Sequence, residues 1–333
     1  MKLRRVVGVL LVAGVAALLV VFRNRIHFDV QGFGREMRGV GLGHVAAGVA
    51  AIYAAMWLRS VRWAMLMKPQ RRVRAAELVG PQLAGFAAVG LFGRLADLTR
   101  PYLIARKTGT VLSAQVAVYT VERIFDLGAA ALVFSAATAW IGGGVPHAAA
   151  IARVGRGSLV GTVALAGFAV ALRVGGEHAA GAVERVLGVK VGARVREFRD
   201  GLKVITGVGE FGAVAVISLA MWGLIAGAYV ESVHAFVRTP QLAGMSFAGV
   251  MVLMASSIAG SAVQMPVVGW FSQMAVMAGV LTGVFGVPVE AAAACGALQY
   301  IICSLSVVPG GLVCAQMGHV SLRDIAQQSQ NAK

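Results

Sequence analysis

Long apolar runs separated by short, mostly basic gaps set the pattern of this chain. Val6 to Phe22 follows MKLRR, Val40 to Leu58 follows a short polar link, and Leu78 to Phe92 makes a third run of only fifteen residues. Ser113 to Trp140 keeps a helical pattern over 28 residues, and Gly157 to Leu172 and Phe211 to Phe236 are further runs. After Gln241 come a Gly- and Ser-rich apolar stretch, a run from Met274 to Val287 closed by Pro288, and a last run from Ala291 to Val308. A full span needs roughly 20 apolar residues. The third run falls short of this, carries Pro81, Gln82 and three glycines, and as a crossing would send Arg94, Arg100, Arg106 and Lys107 to the outer side. Both objections vanish if Leu78 to Arg106 is a re-entrant helical hairpin, because irregular backbone at membrane depth is tolerated where protein buries it or it lines a wet cavity. Gln241 to Val287 reads as a second hairpin entering from the other face. The expected fold is an all-α, polytopic helical bundle with about six full spans plus two re-entrant hairpins. Eight full spans is the alternative, if both hairpins cross.

Composition supports this class: 58% of the 333 residues are hydrophobic and 43 are glycine, which lets helices approach closely in lipid. The net charge of +16 sits mainly in the gaps, the positive-inside pattern, so nucleic acid is not an expected partner. The first run reads as an uncleaved span with the N-terminus cytoplasmic. RSVRWAMLMKPQRRVR, with Arg59, Arg62, Lys68, Arg71, Arg72 and Arg74, reads as a cytoplasmic loop, and Trp63 as an aromatic anchor at the interface. Gly142 to Arg156 is expected outside. Arg173 to Glu210 is the longest hydrophilic stretch, either an amphipathic helix on the cytoplasmic face or a solvated connector. Residues 1–318 are expected to form a single transmembrane domain, with a cytoplasmic polar tail at 319–333. High Ala, Gly, Val and Arg usage points to a GC-rich bacterial genome, and the expected setting is the bacterial inner membrane. Cys295, Cys303 and Cys314 show no metal or CxxC spacing and read as packing thiols.

Charges inside the apolar segments carry the candidate chemistry. Arg94, Asp97, Arg100, Glu122, Arg123 and Asp126 fall within or beside apolar runs in a chain that is 13% charged. A charge at membrane depth costs about 2.5 to 3.5 kcal/mol on insertion scales, so it is kept where it pairs, meets water or meets a ligand. Glu122 and Asp126 are four apart and share a helix face, with Arg123 about 100° away. Glu122 lies about 13 Å along the helix from Ser113, too deep for a carboxylate to reach water, so it needs a partner. Arg94 and Arg100 admit two compatible readings: guanidinium forks gripping a phosphate, or ion pairing with Glu122 and Asp126 to hold the hairpin. Gln264, Pro266, Gly269 and Gln273 offer amides and a helix break, a polar lining at a re-entrant turn. Trp270 and Phe271 read as packing or lipid-contact aromatics. No catalytic set, metal cluster or cofactor motif is present, so the protein is expected not to be an enzyme.

GRLADLTRPYLIARKTG followed by VERIFDL resembles the integral-membrane domain of the lysylphosphatidylglycerol synthetase (flippase-like) family. That family typically shows a Pro-Gly-Arg-x-Gly-Glu-x-x-Arg pattern, then a Glu-Arg-x-x-Asp helix, then a late Pro- and Gly-rich turn. Arg94, Asp97 and Arg100 match the first, with Asp replacing Glu and Phe92 in place of Pro. Glu122, Arg123 and Asp126 match the second. Pro266 and Gly269 match the third, where Gln273 stands in place of a common Glu. The resemblance implies a role in moving a polar lipid between leaflets, with an anionic phospholipid or lipid-linked sugar as partner. The chain ends at Lys333 without the family's soluble transferase domain and is expected not to aminoacylate lipid. The rival expectation is a scaffold or regulator that holds a lipid-modifying enzyme through the 173–210 loop.

Overall fold

A computed structural model describes residues 28–92, 96–139, 148–187, 207–261 and 268–317. Among these residues every regular element is helical: α1 Val30–Arg38, α2 Leu42–Leu66, α3 Ala75–Phe92, α4 Thr99–Thr108, α5 Leu112–Thr138, α6 Ala148–Leu187, α7 Val208–His234, the single turn α8 Pro240–Ala243, α9 Phe247–Gly260, α10 Val268–Gly283, α11 Val289–Tyr300 and α12 Val307–Met317. A π-helical segment, Ile301–Leu305, joins α11 to α12. Among the described residues, four helices are long and apolar enough to cross a membrane: Leu42–Leu66, Ala75–Phe92, Gly209–His234 and the continuous Val289–Met317.

Local chemistry sets several boundaries. Asp29 caps α1 by accepting from the Gln31 amide at 2.9 Å, and Ser246 caps α9 through the Gly249 amide at 3.2 Å. α4 stops at Gly109, whose φ of 64° closes the helix in the left-handed region that glycine adopts freely.

α2 and α7 run antiparallel as the central pair. Their ends are pinned by polar contacts: Gly41 N–H donates to the Ala235 carbonyl at 2.8 Å and His44 Nδ1 lies 2.7 Å from Glu231 at one end, while Lys68 meets Glu210 at 2.9 Å at the other. The end with Lys68, Arg71, Arg72 and Arg74 is the basic end.

The two stretches expected as re-entrant hairpins each hold a folded-back helix pair, the pairs rising from opposite ends, but the first arm, expected to be too short to cross, is an 18-residue helix long and apolar enough to do so. α3 climbs from the basic end and α4 returns to it. A Cβ on Gly85 would overlap the Arg100 side chain, so glycine is what lets the two arms close. α9 descends from the opposite end and α10 climbs back, with a Cβ on Gly260 only 2.8 Å from Gln273 Cα and Ser272 donating to the Gly260 carbonyl at 2.8 Å. At 14 and 16 residues these arms reach about 21 and 24 Å, short of a bilayer core of about 30 Å.

The last helix is the spine between them. α11 packs on α10, with a Gly296 Cβ 3.1 Å from the Met274 carbonyl, and α12 packs on α3, where a Gly311 Cβ would overlap Ala87 and crowd the Leu83 carbonyl. Near its middle, Tyr300 touches both helix pairs: its hydroxyl donates to the Gly90 carbonyl of α3 at 3.4 Å, and its ring lies 6.0 Å from that of Trp270 on α10. The π turn follows directly, with Ser306 N–H reaching back to Ile301 at 2.8 Å. Pro309, lacking an N–H, cannot donate to the Leu305 carbonyl four residues earlier. Single-turn π segments of this kind recur at functional sites.

Several expectations are corrected. α2 does not end at Leu58 but runs to Leu66, so Arg59, Arg62 and Trp63 lie on a buried helix rather than in a cytoplasmic loop. Trp63 is fully enclosed, its indole donating to Gln115 at 2.9 Å, and is no interfacial anchor. α6 begins at Ala148, inside the stretch expected as an external loop, and continues through Arg173 to Leu187. Helix therefore occupies the first part of the expected 173–210 loop, and α7 takes up the chain again at Val208. The last span extends past Val308 to Met317. The first apolar run, residues 188–206 and the tail lie outside the described residues, as do Arg94, Gln264 and Pro266.

The spine contact is testable. Gly311→Leu should lower the thermal midpoint in detergent, because overpacking of this kind costs about 1–3 kcal/mol. Gly279→Ala, where a new Cβ meets nothing within 4 Å, should leave it unchanged.

Candidate functional site

Three helices bring the charges together. Glu122, Arg123 and Asp126 come from α5, Arg59 and Arg62 from α2, and Arg100 from the returning arm α4 of the hairpin. Glu122 and Asp126 project from one face of α5, as their spacing requires, toward α2, whose Arg59 and Arg62 are three apart and also share a face.

Glu122 Oε1 is the hub. It accepts from Arg59 Nη1 at 2.7 Å, Arg100 Nη1 at 2.8 Å and Arg123 Nη2 at 3.1 Å. Asp126 takes Arg59 Nη1 at 3.0 Å on one oxygen, and on the other Arg62 Nη2 at 2.7 Å and the Trp222 indole at 3.4 Å. Arg62 also donates to the Ser218 hydroxyl at 2.7 Å, which ties α2 to α7. Arg59, Arg62, Arg100, Glu122 and Asp126 are all buried, and Arg123 is partly exposed. Although Arg123 leaves α5 on a different side, its long side chain bends back over the Tyr119 ring at 4.9 Å to reach Glu122.

Arg100 sits in an aromatic cage. Its guanidinium carbon lies 4.4 Å from the Phe86 centroid, 5.2 Å from Tyr119 and 5.6 Å from Trp63, with Gln82 accepting at 3.3 Å. Ring faces attract a desolvated cation, which helps to offset burial in a place water does not reach.

The ion-paired network thus holds four guanidiniums against two carboxylates, an excess of two positive charges. Among the described residues, Arg59 Nε, Arg62 Nε, Arg123 Nε and both Nε and Nη2 of Arg100 have no hydrogen-bond partner, nor has Glu122 Oε2. Buried polar atoms are nearly always satisfied, so such a concentration of orphaned donors sets this cluster apart from the rest of the described core.

The network opens onto a cavity of about 300 Å³. Arg59, Phe86 and Trp222 line its charged side; Gly90, Gly269, Trp270 and Tyr300 line the side where the hairpin tips meet. Gln273 also lines it, its amide donating to Ser257 at 2.7 Å, and the Trp270 indole N–H is buried without a partner among the described residues.

Of the charges expected from sequence, Arg100, Glu122, Arg123 and Asp126 therefore share one network. Asp97 lies beside Tyr119, half-buried, outside the ion-paired set. Gly269 and Gln273 line the cavity, as a polar lining requires. Arg59 and Arg62 were missed. Their signal was the apolar WAML that follows them, which keeps the helix going, and two deep carboxylates still short of partners.

Fold and site together define a helical integral-membrane protein with two folded-back helix pairs and a buried arginine-rich centre beside a cavity. The chain belongs to the family described as lysylphosphatidylglycerol synthase TM region, whose model matches residues 5–311. No curated protein and no solved structure matches the chain.

Removing one carboxylate from a buried network leaves uncompensated charge, at a cost of about 3–5 kcal/mol. Glu122→Gln should markedly lower the detergent thermal midpoint, and adding Arg100→Gln should recover part of the loss. Purely additive effects in this double-mutant cycle would show that the two residues are not coupled.

Proposed function

We propose that this protein binds an anionic lipid headgroup at the arginine network and moves the lipid between leaflets through the central cavity, without performing chemistry on it. The observation that carries this reading is Arg59, which belongs at once to the buried ion network and to the cavity wall. A phosphate entering the cavity meets guanidinium donors that its own charge completes, and planar forks bind phosphate bidentately.

The architecture supports movement as well as binding. Arg100 rides on a hairpin, whereas Glu122 and Asp126 belong to the long helix α5. A site divided between separate elements changes when one of them shifts, and broken segments meeting near mid-membrane are how secondary transporters build central sites. With six full spans and two hairpins entering from opposite faces, the basic linker at 67–74 lies in the cytoplasm by the positive-inside rule, and so do both termini. The network is then about 10 Å from the cytoplasmic end of α2, as seven residues separate Arg59 from Leu66. The setting we assign is the bacterial inner membrane.

Leaflet-specific labelling of lipid in proteoliposomes tests this. Losing one charge-assisted hydrogen bond, worth about 1.5–3 kcal/mol, predicts that Arg100→Ala slows lipid movement about tenfold or more. Movement at the wild-type rate by a variant that elutes and melts as a folded protein would remove the proposed role.

A further inference from the structure

We infer that the buried network holds a small monovalent inorganic anion, of chloride size, on the free edge of the Arg100 guanidinium. This site is separate from the cavity that the lipid reading uses, since neither Arg100 nor Gln82 is among the residues that line it.

Hydrogen-bond donors outnumber acceptors in the cluster. Six of its nitrogens are buried without a partner among the described residues: Arg59 Nε, Arg62 Nε, Gln82 Nε2, Arg100 Nε, Arg100 Nη2 and Arg123 Nε. Against them stands one buried oxygen in the same condition, Glu122 Oε2. A carboxylate oxygen accepts about two bonds, so most of these donors remain over. Water does not remove the surplus, because each molecule brings as many donor protons as acceptor lone pairs. A halide ion accepts several hydrogen bonds and has no proton to place.

Charge points the same way. Of the two excess positive charges, Arg123 carries one where its side chain is partly exposed. The other is confined to the buried set, in which Arg59, Arg62 and Arg100 face Glu122 and Asp126. Arginine does not shed its proton in proteins, and an uncompensated buried charge is strongly destabilising. One monovalent anion makes the buried set neutral.

Arg100 is where that anion belongs. Arg59 reaches both carboxylates, and Arg62 pairs with Asp126 and donates to Ser218. Arg100 pairs with Glu122 and shares its one engaged oxygen with Arg59 and Arg123. Its Nη1 is taken up by Glu122 and Gln82. The unpartnered Nε and Nη2 are adjacent donors on one edge of the planar group, the fork that grips an anion side-on. Phe86, Tyr119 and Trp63 surround the guanidinium, and neither Arg100 nor Gln82 has exposed surface. So enclosed a place takes an ion of atomic size and excludes a lipid phosphate.

Gln82 provides the decisive variant. Its Oε1 accepts from Arg100 Nη1 at 3.3 Å, so Gln82→Glu keeps that contact and builds the missing negative charge into the chain. The purified full chain in a neutral detergent is melted in chloride, bromide, gluconate or phosphate at one ionic strength, and bound chloride is measured by equilibrium dialysis with radioactive chloride. We expect chloride and bromide to raise the wild-type midpoint saturably, by about 5 °C over gluconate, with phosphate no better than gluconate. Dialysis should find about one chloride bound per chain, the number that neutralises the buried set. Gln82→Glu should melt alike in all four salts and bind none. Equal wild-type midpoints in chloride and gluconate, or no chloride bound at dialysis, would overturn the inference even if the variant does not fold. A chloride response unaltered in folded Gln82→Glu would overturn it too, and so would phosphate acting as well as chloride, which would make this an open phosphate site. No lipid enters these measurements, so their failure leaves the lipid reading standing, and failure of lipid movement leaves the chloride site standing.

Discussion

Burial of three guanidiniums, with a fourth half-exposed, against two carboxylates is the constraint around which this molecule is built. Each group would be costly alone at membrane depth, so α2, α4 and α5 must approach closely enough for the charges to meet. That requirement reaches into the packing. Gly85 lacks a side chain because Arg100 crosses its face, and Phe86, Trp63 and Tyr119 surround the same guanidinium. Ser218 and Trp222 bring α7 into the network. The pair α3–α4 is held against α5 in part by the ion pair between Arg100 and Glu122.

The second organising element is the spine from Val289 to Met317. One half supports the hairpin from the far end and the other supports the hairpin from the basic end, with the π turn and Tyr300 where the tips meet. The two helix pairs thus share one helix as a packing partner.

Much of this was legible in the sequence, and for identifiable reasons. Pro81, the closely spaced glycines and a fifteen-residue run pointed to a short re-entrant arm, whereas Pro81 sits inside an 18-residue helix that is long and apolar enough to cross, folded back on α4. The Glu122 and Asp126 spacing set a charged face, and their depth required cationic partners. Arg100 was found as one of those partners. Arg59 and Arg62 were not, because the apolar run was ended at its first charge, and nothing local reveals that a helix 63 residues away supplies the counter-charges. The enclosed Trp63 was misread for the same reason. The cavity was equally out of reach: its lining comes from helices far apart in sequence, and only the spine brings Gly90 and Trp270 to one place. Within the second hairpin, Gly269 and Gln273 were visible as polar breaks, but their position opposite the arginines depended on the fold.

The account stands on the claim that the positive excess of the network is completed by a phosphate reaching it from the cavity. An electron cryomicroscopy map of the protein in nanodiscs containing anionic phospholipid is the most direct measurement. The account predicts headgroup density in the central cavity, with a phosphate within hydrogen-bond distance of Arg59 and a shift in the contacts of Arg100. A cavity without lipid density, with anionic lipid bound elsewhere and all four arginines still closed on Glu122 and Asp126, would contradict it.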